Sequence, residues 1–160
     1  GICVESLAIT RKYEEPKDLA RVLNGYCDFV MVRTHEETII EEMIKYSKIP
    51  IINGLSSSHH PCQILADLLT LKEKFGKTYG LEIAYIGDGN NILHSLMILA
   101  PKAKIKIRYC CPELNQPNQE IIDSCDHKMI TKYNNIQEAV LNADAIYTDV
   151  WTSMGFEGQT

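Results

Sequence analysis

The chain has 160 residues, and its composition of 45% hydrophobic and 23% charged residues is that of an ordinary soluble globular protein. Its net charge of −5 comes from 21 acidic and 16 basic residues without a basic run, which argues against a nucleic-acid-binding surface. No apolar run approaches the length of a membrane span, so we expect no membrane partner. The six cysteines form no CxxC pair and have no histidines at zinc-ligand spacing, which predicts a reduced, intracellular protein without a metal site.

Strands and helices alternate through the first half of the chain. We predict strands over 1–9, 27–32 and 49–52 and helices over 14–23 and 34–46, the second helix opening with a capping box at 34–37. A Ser/His loop follows the third strand. Pro61 then suits the first position of a helix, where its missing N–H has no partner in any case, and an apolar stripe extends this helix to about residue 74.

The segment 75–80 breaks this pattern, and we place a domain boundary there, between 1–75 and 76–160. Beyond it the pattern predicts four strands and three helices. Together the two halves predict an α/β protein with two parallel-sheet lobes joined by the long helix. The predicted strands are 81–86, 105–110, 129–130 and 145–148, and the helices are 92–99, 117–125 and one that begins at Asn135.

Four polar residues, Arg33, His60, Asn91 and Asp149, lie where predicted strands end or in the loops that follow. Ligands of open α/β sheets bind beyond the carboxyl ends of the strands. Each residue has an ordinary structural alternative, namely a solvated arginine, a helix-capping histidine, an asparagine N-cap and a turn aspartate. Their equivalent placement favours a shared cleft in which Arg33 and His60 grip an oxyanion at the amino end of the long helix.

The segment Gly87-Asp88-Gly89-Asn90-Asn91 follows a predicted strand and invites a dinucleotide-binding interpretation. Ile92 stands where that fingerprint needs its third glycine, and no acidic residue ends the next strand, so we disfavour it. An amide at Asn91 both donates and accepts, which suits the backbone of an amino acid. Asp67 is interpreted as a hydrogen-bond partner without chemistry, and structural roles are assigned to His35, His59, His94 and His127.

Four stretches resemble the aspartate/ornithine carbamoyltransferase family, in its ornithine-using branch. His60-Pro61-Cys62-Gln63-Ile64-Leu65-Ala66-Asp67-Leu68-Leu69-Thr70 is similar to the family's HPxQxLADLLT stretch. The segment 87–97 is similar to its GDGNNxxHS stretch, and 149–155 to its DxWxSMG loop. Residues 18–23 with Arg33-Thr34 also follow the family pattern, so the likeness spans nearly the whole chain.

The resemblance implies an enzyme that transfers the carbamoyl group of carbamoyl phosphate to the δ-amine of L-ornithine, giving citrulline and phosphate without a cofactor or metal. It implies a carbamoyl-phosphate-binding domain in 1–75 and an ornithine-binding domain in 76–160. Arg33, His60 and Gln63 would act in catalysis and, with Pro61 and Cys62, bind carbamoyl phosphate. Ornithine would be held by Asn91, Asp149, Ser153 and Met154. The resemblance also implies a homotrimer at full length, in the cytoplasm or, in a eukaryote, the mitochondrial matrix.

The family's SxRTR phosphate loop and HCLP segment are not in this sequence, so we expect it to be the middle of such an enzyme, with the ends of both lobes missing, and to be inactive alone. Two alternatives stay open beside this one. The first is a carbamoyltransferase for another amine or amino acid, and the second is a non-catalytic binding or scaffold homologue. A nucleotide-dependent dehydrogenase is a more distant fourth interpretation.

Overall fold

The computed structural model describes residues 14–149, and the chain divides into two units at Ser56/Ser57. The strand predicted over 1–9 and the loop that carries Ser153 and Met154 lie outside the described residues. Two separate parallel sheets are present in the described part, one in each unit, so the predicted α/β class with two parallel-sheet lobes is confirmed. The predicted domain boundary near residue 75 stays a prediction.

The first unit contains a two-stranded parallel sheet and two helices. A proline opens the first helix, which ends at the predicted Asn-Gly stop. Small and apolar side chains of the two helices, Ala20, Ile40 and Met43, are buried. The elements are α1 (Pro16–Leu23), β1 (Val30–Arg33), α2 (Glu37–Tyr46) and β2 (Ile51–Leu55).

The capping box predicted at 34–37 is wrong. Helix α2 begins only at Glu37, its N-cap residue is Glu36, and no side chain caps it. Thr34 directly follows β1, and its N–H donates to the Leu55 carbonyl at the end of β2 at 3.0 Å. Its Oγ1 therefore accepts from the Glu36 N–H, two residues on, at 3.2 Å, and forms a turn instead of a helix cap.

The second unit contains a four-stranded sheet in the order β5-β4-β3-β6, in which every pair of neighbours is parallel. The central strand, β3, is apolar along most of its length because both of its faces are covered. Its elements are α3 (Pro61–Phe75), β3 (Glu82–Ile86), α4 (Asn91–Ala103), β4 (Lys106–Cys110), α5 (Gln119–Ser124), β5 (Ile130–Lys132), α6 (Ile136–Val140) and β6 (Ala145–Thr148).

Two helices of this unit differ from the predicted bounds. Helix α4 continues to Ala103, four residues beyond the prediction, and ends where Lys104 takes a left-handed conformation and donates its N–H back to the last turn. Helix α5 begins at Gln119 and not at Pro117, because the Asn118 side chain accepts from the Glu120 N–H and caps it.

The core of the second unit lies between the sheet and α4. Tyr85 from β3, Leu93 and Met97 from α4, and Ile107 from β4 are fully buried there. Helix α4 therefore carries a rigidly packed stretch immediately behind the loop that links it to β3. Among residues 14–149, no helix is long and apolar enough to cross a lipid bilayer.

Candidate active site

Strand order marks one edge of the larger sheet as the place for a ligand. The chain runs outward from β3 through β4 to β5 and then returns to the other side of β3 as β6. This reversal between β3 and β6 is the topological switch point of an open α/β sheet, beyond whose carboxyl ends ligands bind. The segment 87–91 follows β3 and Asp149 follows β6, so two of the predicted site segments lie at this point.

The two strand ends are joined by side chains. Asn90 is the N-cap of α4, and its Oδ1 accepts from the Ile92 N–H at 3.0 Å and the Leu93 N–H at 3.4 Å. Its Nδ2 donates to the Asp149 Oδ2. The N-cap role considered for Asn91 thus belongs to its neighbour Asn90, and Asn91 is the first residue of the helix.

A pair of stacked tyrosines lies beneath this edge. The rings of Tyr85 and Tyr147, on neighbouring strands, have centroids 5.7 Å apart at an interplanar angle of 27°. The Tyr85 hydroxyl lies 2.8 Å from the Asp88 carbonyl and 3.2 Å from the Asn90 Oδ1. Burial and then the Asp149 charge raise the pKa of Tyr85 above its ordinary value, so this hydroxyl keeps its proton and supports the Asn90 cap.

The second tyrosine connects the sheet to the long helix. The Tyr147 hydroxyl donates to the Asp67 Oδ2 at 2.9 Å, and the Asp67 Oδ1 accepts from the Gln63 Nε2 at 3.1 Å. Burial first, and then the hydrogen bond to Asp67, raise the pKa of Tyr147, which keeps the hydroxyl a donor. Because an ionised carboxylate only accepts, this contact fixes the Gln63 amide with its nitrogen toward Asp67 and its oxygen directed elsewhere.

The loop before α3 is held by the first two turns of α4. The His60 N–H donates to the Ser95 Oγ at 2.7 Å, and the His94 Nδ1 lies 3.1 Å from the Ser58 carbonyl. The other ring nitrogen, Nε2, accepts from the Asn118 N–H at 3.0 Å. Burial lowers the pKa of His94, which agrees with a neutral ring between one acceptor and one donor.

The second unit contains most of the predicted site residues that fall within 14–149. His60, Pro61, Cys62 and Gln63 surround the start of α3, while Asn91 and Asp149 lie at the switch point. Arg33 is the last residue of β1 in the first unit, beside Leu55 of β2. Ser153 and Met154 lie outside the described residues.

Several residues that build this region received no functional role from the sequence. Ser95 and Tyr147 have no local motif that indicates their partners, which lie 35 and 80 residues away. Asp67 was expected to be a hydrogen-bond partner, and it is one, although its distant partner is on a strand. The described residues contain no cluster of His, Cys, Asp and Glu suited to a metal ion.

Two family models match the chain in succession. The carbamoyl-phosphate-binding domain of aspartate/ornithine carbamoyltransferase matches residues 3–73, and the Asp/Orn-binding domain of the same family matches residues 79–160. Ornithine carbamoyltransferase of Oceanobacillus iheyensis is 46% identical over 146 residues, which are 88% of this chain and 45% of that protein. The enzyme of Methanoculleus marisnigri is 42% identical over 146 residues, which cover 90% of this chain and 47% of that protein.

Solved structures give the same result. Ornithine carbamoyltransferase from Pyrococcus furiosus has a TM-score of 0.85 and 40% identity, covering 92% of this chain and 49% of that one. Aspartate transcarbamoylase from Trypanosoma cruzi, in complex with carbamoyl aspartate and phosphate, has a TM-score of 0.71 and 27% identity. The match covers 82% of this chain and 46% of that one. The chain thus spans about half the length of the relatives it matches. On both family models and these identities, the chain belongs to the aspartate/ornithine carbamoyltransferase family.

Proposed function

We propose that the protein containing this chain transfers the carbamoyl group of carbamoyl phosphate to the δ-amine of L-ornithine, giving L-citrulline and phosphate. The observation that carries the proposal is the Asn90–Asp149 hydrogen bond, which joins two strand ends at the switch point of a sheet matched by the Asp/Orn-binding model. Ornithine is favoured over aspartate because the relatives at 40% identity or more are named ornithine carbamoyltransferases, whereas the aspartate enzyme is 27% identical.

Carbamoyl phosphate is assigned to Arg33, His60 and Gln63, with Pro61 and Cys62 beside them at the start of α3. A guanidinium fork holds a phosphate or carbonyl oxygen at two points, and a helix amino terminus favours negative charge. A histidine donor at the carbonyl oxygen would stabilise the oxyanion of the tetrahedral intermediate. The Gln63 Nε2 already donates a hydrogen bond to Asp67. The Gln63 carbonyl oxygen is therefore the group that would accept a hydrogen bond from the substrate, for example from the amide N–H of the carbamoyl group.

Ornithine is assigned to the switch point. The Asp149 carboxylate suits the α-ammonium group, and the Asn91 amide suits the α-carboxylate, with Ser153 and Met154 completing the set as the family resemblance implies. The neutral δ-amine then attacks the carbamoyl carbon, the bond from that carbon to the phosphate oxygen breaks, and the nitrogen gives up a proton. Positioning of the two substrates and preorganised charge would supply most of the rate enhancement.

The remaining expectations belong to the same proposal. The domain boundary lies near residue 75, the complete protein is a cytoplasmic homotrimer without a cofactor, and residues 1–160 alone make little citrulline. The last point has a simple physical reason. The relatives are about twice as long as this chain, and the SxRTR phosphate loop of the family is not within residues 1–160. Each charged hydrogen bond to the phosphate contributes about 1.5–3 kcal/mol, so residues 1–160 alone would bind carbamoyl phosphate much more weakly.

The test is citrulline formation by the full-length gene product, with ornithine, putrescine and aspartate compared as acceptors. Of these three acceptors, we expect only ornithine to be carbamoylated. In Arg33→Lys, which loses the planar guanidinium fork, we expect kcat/KM for carbamoyl phosphate to fall by about 100-fold. Arg21→Lys is the matched control, since Arg21 is exposed, pairs with Asp18 on its own helix and lies over the Tyr46 ring, and is not one of the proposed site residues. A full-length protein that binds both substrates without turnover would instead support the scaffold alternative.

A further inference from the structure

The first two turns of α4 contain two adjacent polar side chains that contact the loop before α3. His94 and Ser95 are each only 7% exposed. We propose that they are positioning residues for the reaction: they fix the backbone on both sides of His59 and thereby aim the His60 imidazole. This inference rests on the proposed function, in which His60 contacts carbamoyl phosphate, and it adds two residues that touch no substrate themselves.

Ser95 sets the backbone of His60 directly. Its Oγ accepts the His60 N–H at 2.7 Å, across 35 residues of chain. His60 is the N-cap of α3, with φ −137° and ψ 65°, and no side-chain hydrogen bond caps this helix. The serine therefore anchors the residue at which the loop turns into the helix. An alanine would leave this backbone N–H without its acceptor in a largely buried place.

His94 sets the other end of the short loop, and its two ring nitrogens have different tasks. The Asn118 N–H can only donate, so the Nε2 that faces it at 3.0 Å carries no proton. The proton of the neutral ring then lies on Nδ1, which donates to the Ser58 carbonyl at 3.1 Å. His94 thus ties the loop to the N-cap of α5 through one defined tautomer.

Because these contacts hold the backbone on both sides of His59, the His60 imidazole can change direction mainly by rotation about its own side-chain bonds. The loop backbone is held at Ser58 by His94 and at His60 by Ser95, and both holding side chains project from a helix that is anchored in the core by the buried Leu96 and Met97. A displacement of about 1 Å in a group that orients a substrate can cost about 100-fold in rate. Such a group is best supported by buried side chains on a rigid element.

Two substitutions of His94 separate positioning from general stability. In His94→Asn the amide nitrogen replaces Nδ1 and keeps the bond to Ser58 but loses Asn118. In His94→Gln the amide oxygen replaces Nε2 and keeps Asn118 but loses Ser58. Each variant gives up one backbone partner, so a purely structural role predicts equal effects. If His94 positions the loop, activity should be kept in His94→Asn, which retains the Ser58 hydrogen bond, and lost in His94→Gln, which does not.

The experiment measures kcat and KM for carbamoyl phosphate in the full-length protein. We expect kcat/KM within about threefold of the parent for His94→Asn, and about 10- to 100-fold lower for both His94→Gln and Ser95→Ala. The control is Ser124→Ala, because Ser124 is exposed and its hydroxyl donates to the Ile121 carbonyl in its own helix, away from the loop before α3. Equal losses in the two His94 variants, or a Ser95→Ala variant within twofold of the parent, would overturn the proposal.

Amide hydrogen exchange at His60 separates this inference from the proposed function. We expect slow exchange in the parent and at least tenfold faster exchange in Ser95→Ala, with Ser124→Ala unchanged. That result establishes the Ser95 contact even in a protein that makes no citrulline, in which case only the assigned reaction fails. Equally fast exchange in parent and variant refutes the contact whatever the activity.

Discussion

Removing one hydroxyl group tests whether the long helix and the edge strand are tied as the structure indicates. In Tyr147→Phe the ring stays in place against Tyr85, with centroids 5.7 Å apart, so the aromatic contact is kept. The change removes the donor that lies 2.9 Å from the Asp67 Oδ2. Asp67 retains the Gln63 amide and access to water, so no buried charge is left without a partner.

The expected loss follows from the type of bond. A hydrogen bond to a charged group contributes about 1.5–3 kcal/mol, and the partial exposure of both side chains places this one near the lower end. We therefore expect Tyr147→Phe to lower the free energy of unfolding by about 1.5 kcal/mol. Its partner lies 80 residues away in the chain, so the loss reports on tertiary structure and not on local strand propensity.

A double-mutant cycle with Asp67→Ala isolates this bond. Urea unfolding of the two single variants and the double variant should give a coupling free energy of about 1–1.5 kcal/mol. Tyr79→Phe is the control, because Tyr79 is 62% exposed and makes only a contact with Lys77 among those seen here. A coupling below about 0.3 kcal/mol would refute the role given to the Tyr147 hydroxyl.

Two further predictions concern stability. Because burial lowers the pKa of His94 in the folded protein, the unfolded chain takes up a proton first as the pH falls through 6.5, and stability should then drop by up to about 1.4 kcal/mol per pH unit. Unfolding midpoints at pH 7.5 and 5.5 should diverge less in His94→Gln than in the exposed-site control His127→Gln; an equal divergence contradicts this. A Cβ at Gly89 would lie 2.0 Å from the Pro117 backbone nitrogen, so Gly89→Ala should cost about 2 kcal/mol or more. Gly25→Ala, where the nearest atom is 3.6 Å away, should cost less in the same urea titration, and equal costs would refute the clash.

The two central strands of the larger sheet were predictable because their signal is local. A parallel strand covered on both faces reads as a continuous apolar run, and β3 and β4 lie within one residue of their predicted bounds. Helix starts were less predictable. The Thr34 capping box fits its motif, yet the Thr34 N–H donates to the Leu55 carbonyl at the end of β2, a partner that no local pattern reveals.

The candidate site divides along the same physical line. Asn91 and Asp149 could be placed from the sequence because strand ends meet at a sheet edge whatever the details of packing. The contacts of Ser95 and Tyr147 could not, since each depends on the register and helix placement that bring distant residues together. Tyr147 in particular is an ordinary strand residue by propensity. Its hydroxyl has a hydrogen-bond partner only because the fold brings Asp67 of α3 next to it.

Residues expected to touch a substrate, such as His60 and Gln63, are marked by motifs, while the contacts by which other groups orient them are known only from the fold. Gln63 is oriented by Asp67, which in turn is held by Tyr147 from the far end of the chain. The support of His60 and Gln63 therefore depends on residues of later elements, Ser95 of α4 and Tyr147 of β6. A domain that had lost β6 would keep every residue of the HPxQ motif and still lack the Tyr147 contact that holds Asp67 against Gln63.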